Sequence, residues 1–151
     1  MIASGRGAFR AAAILSFGEM HMAVKDPVAW VKNVERLYRA NDAEGVSALY
    51  TADAVTIFGS QVFSPAEVHA HPAEWFASLE DYRIDRHFRA ATGDIIVSET
   101  VASYVLKSDG KRYKEFGVDV YWVNDDGLIY HKHTSEVVEP YDLRPAPPRK
   151  Q

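Results

Sequence analysis

The sequence contains no cysteine, and this absence excludes several kinds of chemistry at once. A chain without thiols has no disulfide framework, no thiolate nucleophile and no cysteine-ligated metal site. The sequence also lacks any apolar run long enough to span a bilayer. Basic residues are not in excess, because the formal net charge is −4 at pH 7. We therefore expect neither nucleic-acid binding nor membrane insertion, and we predict a cytoplasmic protein.

The chain length and composition predict one domain with a single hydrophobic core, since 47% of the 151 residues are hydrophobic and 25% are charged. Arg6 and Arg10 precede a short apolar run, a pattern typical of a signal peptide. The residues after that run form a poor cleavage site, so we favour a mobile extension over residues 1–23. The domain is predicted over residues 24–139. Residues 140–151 are rich in proline, which predicts an extended or disordered tail.

Helix signals are concentrated in the first half of the chain. Asp26, which is followed by a proline, is a good N-cap for a first amphipathic helix. Asp42 predicts the cap of a second, short helix that buries Val46, Leu49 and Tyr50. Ser64 begins a third helix with a capping-box pattern. Pro72 lies inside that third pattern, so we expect it to kink or restart the helix and leave the following residues as a separate segment.

From residue 82 onwards the apolar period changes from helical spacing to two, which indicates strands. Arg86 interrupts the apolar face of the first of these strands. Further strands are predicted over residues 95–106, 112–123 and 128–138, joined by tight turns, with a short strand pair at 55–58 and 61–63. Helices grouped ahead of consecutive antiparallel strands predict an α+β fold.

Three segments in this order resemble the SnoaL-like and ketosteroid-isomerase-like domains of the superfamily named after nuclear transport factor 2. They are residues 34–58, 91–99 and 119–129, and the resemblance extends over about residues 26–139. It implies a cone-shaped barrel, made of a curved, mostly antiparallel sheet wrapped by N-terminal helices. It also implies a deep, largely apolar pocket, and a homodimer packed through the sheet. The family includes cofactor-free enzymes and non-catalytic binding domains, so fold alone does not decide function.

The catalytic sets of the family are incomplete in this sequence. The tyrosine and the base of the ketosteroid isomerases fall at Val34 and Phe58, and only their protonated aspartate is matched, by Asp119. The histidine and aspartate of the SnoaL-like cyclases fall at Lys132 and Thr134. The aspartate of limonene epoxide hydrolases also falls at Thr134. The resemblance therefore does not assign any one of the family's activities to this chain.

Asp119 is the candidate catalytic residue, because it lies within an apolar stretch where a solvated charge is out of place. In an apolar pocket its pKa is expected to rise, which would make it an acid or base near neutral pH. The alternative is that Asp119 faces the other side of the sheet and pairs with a basic residue. Tyr104, Tyr121, Lys132 and Glu136 are candidate helpers, although a lysine at position 132 is also compatible with a plain sheet surface.

An aromatic-rich pocket is predicted to bind a small apolar or aromatic molecule. A plain hydrophobic core is the alternative explanation for many of these rings. The residues expected to line the pocket are Trp30, Tyr38, Phe58, Trp75, Phe76, Tyr104, Tyr121, Lys132, Thr134 and Glu136.

Two His-x-His pairs, His69 with His71 and His131 with His133, have the spacing of a metal site on a strand. The first pair is predicted to lie on a helix, where this spacing does not converge on one ion. Strand alternation directs the second pair away from the pocket. We therefore predict no metal and no cofactor, and interpret these histidines as surface or interface residues.

The resulting hypothesis is a homodimeric small-molecule-pocket protein. It would carry out cofactor-free acid–base chemistry, such as isomerisation, cyclisation, dehydration or hydrolysis, on an apolar cyclic substrate. The main alternative is a non-catalytic ligand-binding or dimerisation domain. A metal-dependent enzyme that uses the histidine pairs is a third possibility.

Overall fold

The described part of the chain is residues 21–141 of a computed structural model, and it contains three helices followed or flanked by six strands. The expectations for residues 1–20 and 142–151 lie outside the described residues. The helices are α1 (Pro27–Arg39), α2 (Ala43–Ser47) and α3 (Pro65–Ser78). The strands are β1 (Tyr50–Phe58), β2 (Gln61–Phe63), β3 (Leu79–Thr92), β4 (Ile95–Leu106), β5 (Lys111–Val123) and β6 (Ile129–Pro140).

The first two helices begin at the predicted caps. Asp26 Oδ1 accepts a hydrogen bond from the Ala29 backbone N–H at 2.9 Å, and Asp42 Oδ1 accepts one from Gly45 at 2.8 Å. These bonds satisfy backbone donors that have no partner within the first helical turn. The second helix is shorter than predicted, because Tyr50 is the first residue of β1 and not the end of α2.

The third helix continues through Pro72, so the predicted separate segment after it is not formed. Glu67 Oε2 accepts from the Ser64 backbone N–H at 2.7 Å, as a capping box requires. Proline removes only one helical hydrogen bond, and Pro72 is buried against the cavity described below. Packing of the helix on the sheet therefore keeps Trp75, on the next turn, aligned with the same cavity.

The six strands form one curved, unclosed sheet in the order β2-β1-β6-β5-β4-β3. All neighbouring strands are antiparallel except β1 and β6, which are parallel. This is the predicted α+β architecture, a cone formed by a curved, mostly antiparallel sheet with helices from the N-terminal half of the chain. Antiparallel register places alternate residues of β3, β5 and β6 on the inner surface of the cone.

The hydrophobic core fills one end of the cone, where α1 and α2 pack on the inner face of the sheet. Its buried members are Val31, Val34, Leu37, Val46, Leu49, Ile96, Tyr121, Val123 and Ile129. None of the helices within residues 21–141 is long and apolar enough to cross a membrane. The core leaves the region between α3, β1 and β6 unfilled, and the cavity lies there.

Candidate functional site

A cavity of about 220 Å³ opens between helix α3 and the inner face of the sheet. Aromatic rings form much of its wall, and charged and hydroxyl side chains project into it from β3, β4, β5 and β6. An apolar cavity of about 150 Å³ is large enough for benzene, so this one fits a single substituted ring. The lining residues are Tyr38, Tyr50, Thr56, Phe58, Gln61, Phe63, Val68, His71, Pro72, Trp75, Tyr82, Arg86, Thr100, Glu115, Gly117, Asp119, Lys132, Thr134 and Glu136.

Asp119 forms the centre of a buried charged cluster at the base of the cavity. Its Oδ1 lies 3.0 Å from the Lys132 ammonium and accepts a hydrogen bond from Thr134 Oγ1 at 2.6 Å. Its Oδ2 accepts from Arg86 and, at 2.9 Å, from Thr100 Oγ1. The side chains of Asp119, Arg86 and Lys132 are only 3–4% exposed, so each charge depends on the others for compensation.

The expected rise in the Asp119 pKa is wrong. Burial by itself would raise the pKa of this carboxyl, but the charges of Lys132 and Arg86 and the hydrogen bond from Thr134 hold the pKa well below its usual range. The prediction missed this because it considered the apolar neighbours of Asp119 along β5. The cations come from β3 and β6. The structure thus combines the two alternatives, since Asp119 faces the cavity and is also paired with basic residues.

Both buried cations also pack against aromatic rings. The Arg86 guanidinium lies over the Tyr38 ring at 4.6 Å, and the Lys132 ammonium lies over the Phe58 ring at 5.0 Å. Arg86 additionally donates to the Tyr121 hydroxyl at 2.6 Å. These contacts position the two cations, but they supply no second formal negative charge. Lys132 is therefore a buried cavity residue, not a sheet-surface lysine.

A second pair of carboxyls, Glu115 on β5 and Glu136 on β6, is less buried than Asp119. The two side chains share a hydrogen bond, and both line the cavity. Burial and the charge of Glu136 together raise the pKa of Glu115 to about 7, against the opposing effect of Arg86. Burial likewise raises the pKa of Glu136. Two adjacent carboxyls of this kind hold one proton between them near neutral pH.

Seven of the eleven predicted site residues line the cavity, and four do not. The seven are Tyr38, Phe58, Trp75, Asp119, Lys132, Thr134 and Glu136. The other four are Trp30, Phe76, Tyr104 and Tyr121.

These four rings lie behind the cavity wall because each is used in packing. Trp30 Nε1 donates to the Gly127 carbonyl at 2.9 Å, and its ring contacts Tyr121 edge-on. Phe76 packs against Tyr38, and Tyr104 supports Trp75 from behind at 5.1 Å. Tyr121 still reaches the charged cluster through its hydroxyl. The alternative of a plain core is correct for these rings.

Sequence reasoning missed two charged residues of the site, Arg86 and Glu115. The signal for Arg86 was present, because it interrupts the apolar face of β3 at an inward position. An inward arginine and an inward aspartate on strands of one sheet are candidates for a buried pair. Glu115 lies in the same strand phase as Asp119, four residues away, so alternation directs it to the same face.

The histidine pairs do not converge on a common point. The His69 ring is held by Ser47 Oγ at 2.7 Å and the Thr51 carbonyl at 3.0 Å, whereas His71 lines the cavity. His131 packs against Trp122 on the outer face of the sheet, as strand alternation predicted. Within residues 21–141, no group of three or more histidine, aspartate or glutamate side chains is arranged to hold a metal ion.

Solved structures confirm the fold. The epoxide hydrolase/cyclase-like enzyme SalBIII is 17% identical with a TM-score of 0.66, over 76% of this chain and 95% of that chain. An LEH-like epoxide hydrolase of Mycobacterium tuberculosis is 15% identical with a TM-score of 0.61, over 74% and 82%. A protein of ketosteroid isomerase-like fold from Catenulispora acidiphila is 13% identical with a TM-score of 0.60, over 70% and 82%.

Sequence comparison assigns the family. No curated protein sequence matches the chain. The family model of the SnoaL-like domain matches residues 31–132, which include most of α1, all of α2, the three buried charges Arg86, Asp119 and Lys132, and Glu115. The cavity residues thus lie almost entirely within the matched region, with only Thr134 and Glu136 beyond it. The chain belongs to the SnoaL-like domain family.

Proposed function

We propose that this protein is a cofactor-free acid–base enzyme that acts on a small cyclic molecule, with Glu115 and Glu136 as its proton-transfer pair. The observation that carries the proposal is the position of this pair on the wall of a ring-lined cavity. One protonated and one ionised carboxyl supply both an acid and a base at neighbouring points. This pairing suits reactions in which one proton is delivered and another is removed.

Isomerisation of a cyclic unsaturated ketone and hydrolysis of a cyclic epoxide are two reactions of this kind. In the first, the ionised carboxylate removes a proton from a ring carbon and the pair returns a proton elsewhere. In the second, the protonated carboxyl donates to the epoxide oxygen while the carboxylate accepts a proton from the attacking water. Neither reaction requires an oxidant, a reductant or a cofactor. At the end of each reaction the glutamate pair again holds one proton.

Asp119 has a different role in this proposal. A carboxylate whose pKa is held far below neutrality is a poor base and is not available as an acid. Its hydrogen bonds and ion pairs instead orient Lys132 and Arg86. We therefore assign Asp119 as a positioning residue. Proton transfer, which the sequence analysis assigned to Asp119, is assigned to Glu115 and Glu136.

The test is a screen of cyclic epoxides and cyclic β,γ-unsaturated ketones, followed by mass spectrometry for diols and ultraviolet absorbance for conjugated ketones. For a substrate that turns over, Glu115→Gln is expected to lower kcat by about 100-fold or more, the usual contribution of a general acid or base. The wild-type pH–rate profile is expected to have a limb near pH 7, set by the Glu115 pKa of about 7. Glu80→Gln, on an exposed residue of β3, is the matched control and should retain full activity.

A non-catalytic binding domain is the second candidate, and the incomplete family catalytic sets favour it. The two candidates differ in the same screen. Stoichiometric binding of ring compounds without turnover of any would support the binding domain and overturn the enzyme proposal. Unchanged kcat in Glu115→Gln would keep an enzyme but remove the glutamate pair from its mechanism.

A further inference from the structure

We infer that the molecule bound in the cavity carries one negative charge, held beside Lys132 and Arg86, on a compact ring-containing body. This inference rests on the proposed small-molecule function of the cavity and adds the charge of the ligand, which the apolar-ligand prediction left out. It follows from the balance of charges at the cavity base, from the donors there, and from the cavity's size.

The first argument is the excess of positive charge at the base of the cavity. Arg86 and Lys132 are two cations, and Asp119 is the only carboxylate among the described residues that contacts both of them. Their side chains are 3–4% exposed, so bulk water screens this excess weakly. The Tyr38, Phe58 and Tyr121 rings lie against these cations, and the Tyr121 hydroxyl accepts a hydrogen bond from Arg86, but none of the three supplies a negative charge. A ligand anion would complete the compensation.

The second argument is an unsatisfied donor. The Nε atom of Arg86 is buried and has no hydrogen-bond partner among residues 21–141. Buried donors without partners are uncommon, because leaving one unpaired costs free energy. The Lys132 ammonium is bonded to one Asp119 oxygen at 3.0 Å and otherwise lies over aromatic rings. The Lys132 ammonium thus retains capacity for an acceptor oxygen in the cavity, such as that of a carboxylate or enolate, and Arg86 adds a second positive charge beside it.

The protonation state of Glu115 and Glu136 sets the pH range in which an anion binds well beside Lys132 and Arg86. With one proton shared, Glu115 and Glu136 carry one negative charge, so the charges that line the cavity sum to zero, although among the described residues only Asp119 pairs directly with the two cations at the base. Loss of that last proton makes the cavity net negative, so an anionic ligand is then repelled. Protonation of both carboxyls favours the anion. Anion affinity is therefore expected to fall as pH rises through the region where the pair loses its last proton.

The other groups that face the charged cluster do not reverse the expected fall in anion affinity with rising pH. Tyr38 faces the cluster from α1 with its ring, while Tyr50 from β1 and Tyr82 from β3 are neutral near pH 7 because burial raises the pKa of each. Burial and the charge of Lys132 lower the pKa of His71, which faces the cavity from α3, so this ring is neutral as well. Thr100 and Thr134 do not titrate. The charged groups are Arg86, Asp119, Lys132, Glu115 and Glu136.

The experiment compares benzoate with benzamide, two rings of nearly equal shape that differ in charge, by isothermal titration calorimetry. We expect benzoate to bind about tenfold more tightly than benzamide to the wild-type protein at about pH 6. The preference should shrink at about pH 8, above the pKa of the pair. Lys132→Met should abolish the preference while benzamide binding persists. Lys111→Met, on an exposed residue of the same sheet, is the matched control and should keep the preference.

Equal affinities for the two probes in the wild type would overturn the inference and leave the small-molecule cavity standing. A preference that survives in Lys132→Met would also overturn it. If circular dichroism shows that Lys132→Met does not fold, the wild-type pH series carries the test, and a preference unchanged between the two pH values contradicts the inference. Binding is measured without turnover, so failure of the acid–base reaction does not affect this result. Binding of neither probe would count against the cavity function and this inference together.

Discussion

Asp119 shows how a single buried carboxylate depends on partners that are distant in sequence. Arg86 precedes it by 33 residues, and Lys132 follows it. Removing the aspartate would leave two cations buried with no carboxylate contact. Such an uncompensated buried charge is far more costly than the net value of the intact ion pairs. Residue 119 is therefore important for stability whatever the reaction is.

Asp119→Asn is expected to lower the free energy of unfolding by about 3–5 kcal/mol, because it removes the charge that compensates both cations. Urea denaturation followed by circular dichroism measures the change. Asp125→Asn, at a side chain that is 80% exposed, is the control and should have an effect within about 0.5 kcal/mol. A loss of less than about 1 kcal/mol for Asp119→Asn would contradict the conclusion that this carboxylate compensates two buried cations.

Asp119 also makes the free energy of unfolding depend on pH, and its stabilising contribution decreases in acid. The folded-state pKa of Asp119 is depressed, so folding favours the ionised form. The stabilisation is fully present above the unfolded-state pKa of about 4 and is lost as pH falls through the acid range. The Asp119→Asn variant should therefore show a smaller loss of stability on acidification than the wild type.

At the scale of the elements, local signals account for where the helices begin. The caps at Asp26 and Asp42 act within three residues of sequence, so their geometry does not depend on the rest of the fold. The end of α2 and the continuity of α3 were predicted wrongly. Both depend on packing: β1 pairing recruits Tyr50, and burial against the sheet keeps α3 helical through Pro72.

Asp26→Ala is expected to lower the free energy of unfolding by about 1 kcal/mol, since the Ala29 backbone donor loses its acceptor. Thermal unfolding followed by circular dichroism checks this. Asp26→Asn retains a capping oxygen and should differ little from the wild type. An equal loss in both variants would indicate that the charge of Asp26, and not its capping bond, stabilises α1.

At the scale of the whole molecule, the outer face of the sheet carries an apolar patch, formed by Phe116, Val118 and Val137. These side chains are between 41% and 58% exposed, and Phe116 lies directly opposite Val137 in the β5–β6 register. Contiguous exposed apolar residues on a sheet face are a common feature of protein interfaces. We propose that this patch is the contact surface of the homodimer that the family resemblance implies.

Val137→Glu is expected to shift the protein from dimer to monomer, because it places two charges in the symmetric contact. Size-exclusion chromatography with light scattering measures the mass at several concentrations. Val62→Glu is the matched control, since Val62 is 63% exposed but lies on the short strand β2 at the sheet edge. A wild-type protein that is monomeric throughout, or a Val137→Glu protein that remains dimeric, would contradict this use of the patch.

The α+β class, the helix caps, the strand turns and the family could all be predicted from the residues in their order along the chain. These features arise from short-range rules: residue spacing, capping and turn chemistry act over a few positions. The sequence also identified most of the cavity residues on β5 and β6, because alternation follows from the strand repeat.

The chemistry of the site, in contrast, depends on how residues from distant parts of the chain are arranged in space. Whether Asp119 would be an acid or a fixed anion depended on Arg86 and Lys132, which reach it only through the register of β3, β4, β5 and β6. The pairing of Glu115 with Glu136 depended on the same register. Electrostatic interactions act over a few ångströms in space regardless of separation along the chain, so sequence neighbours could not reveal them.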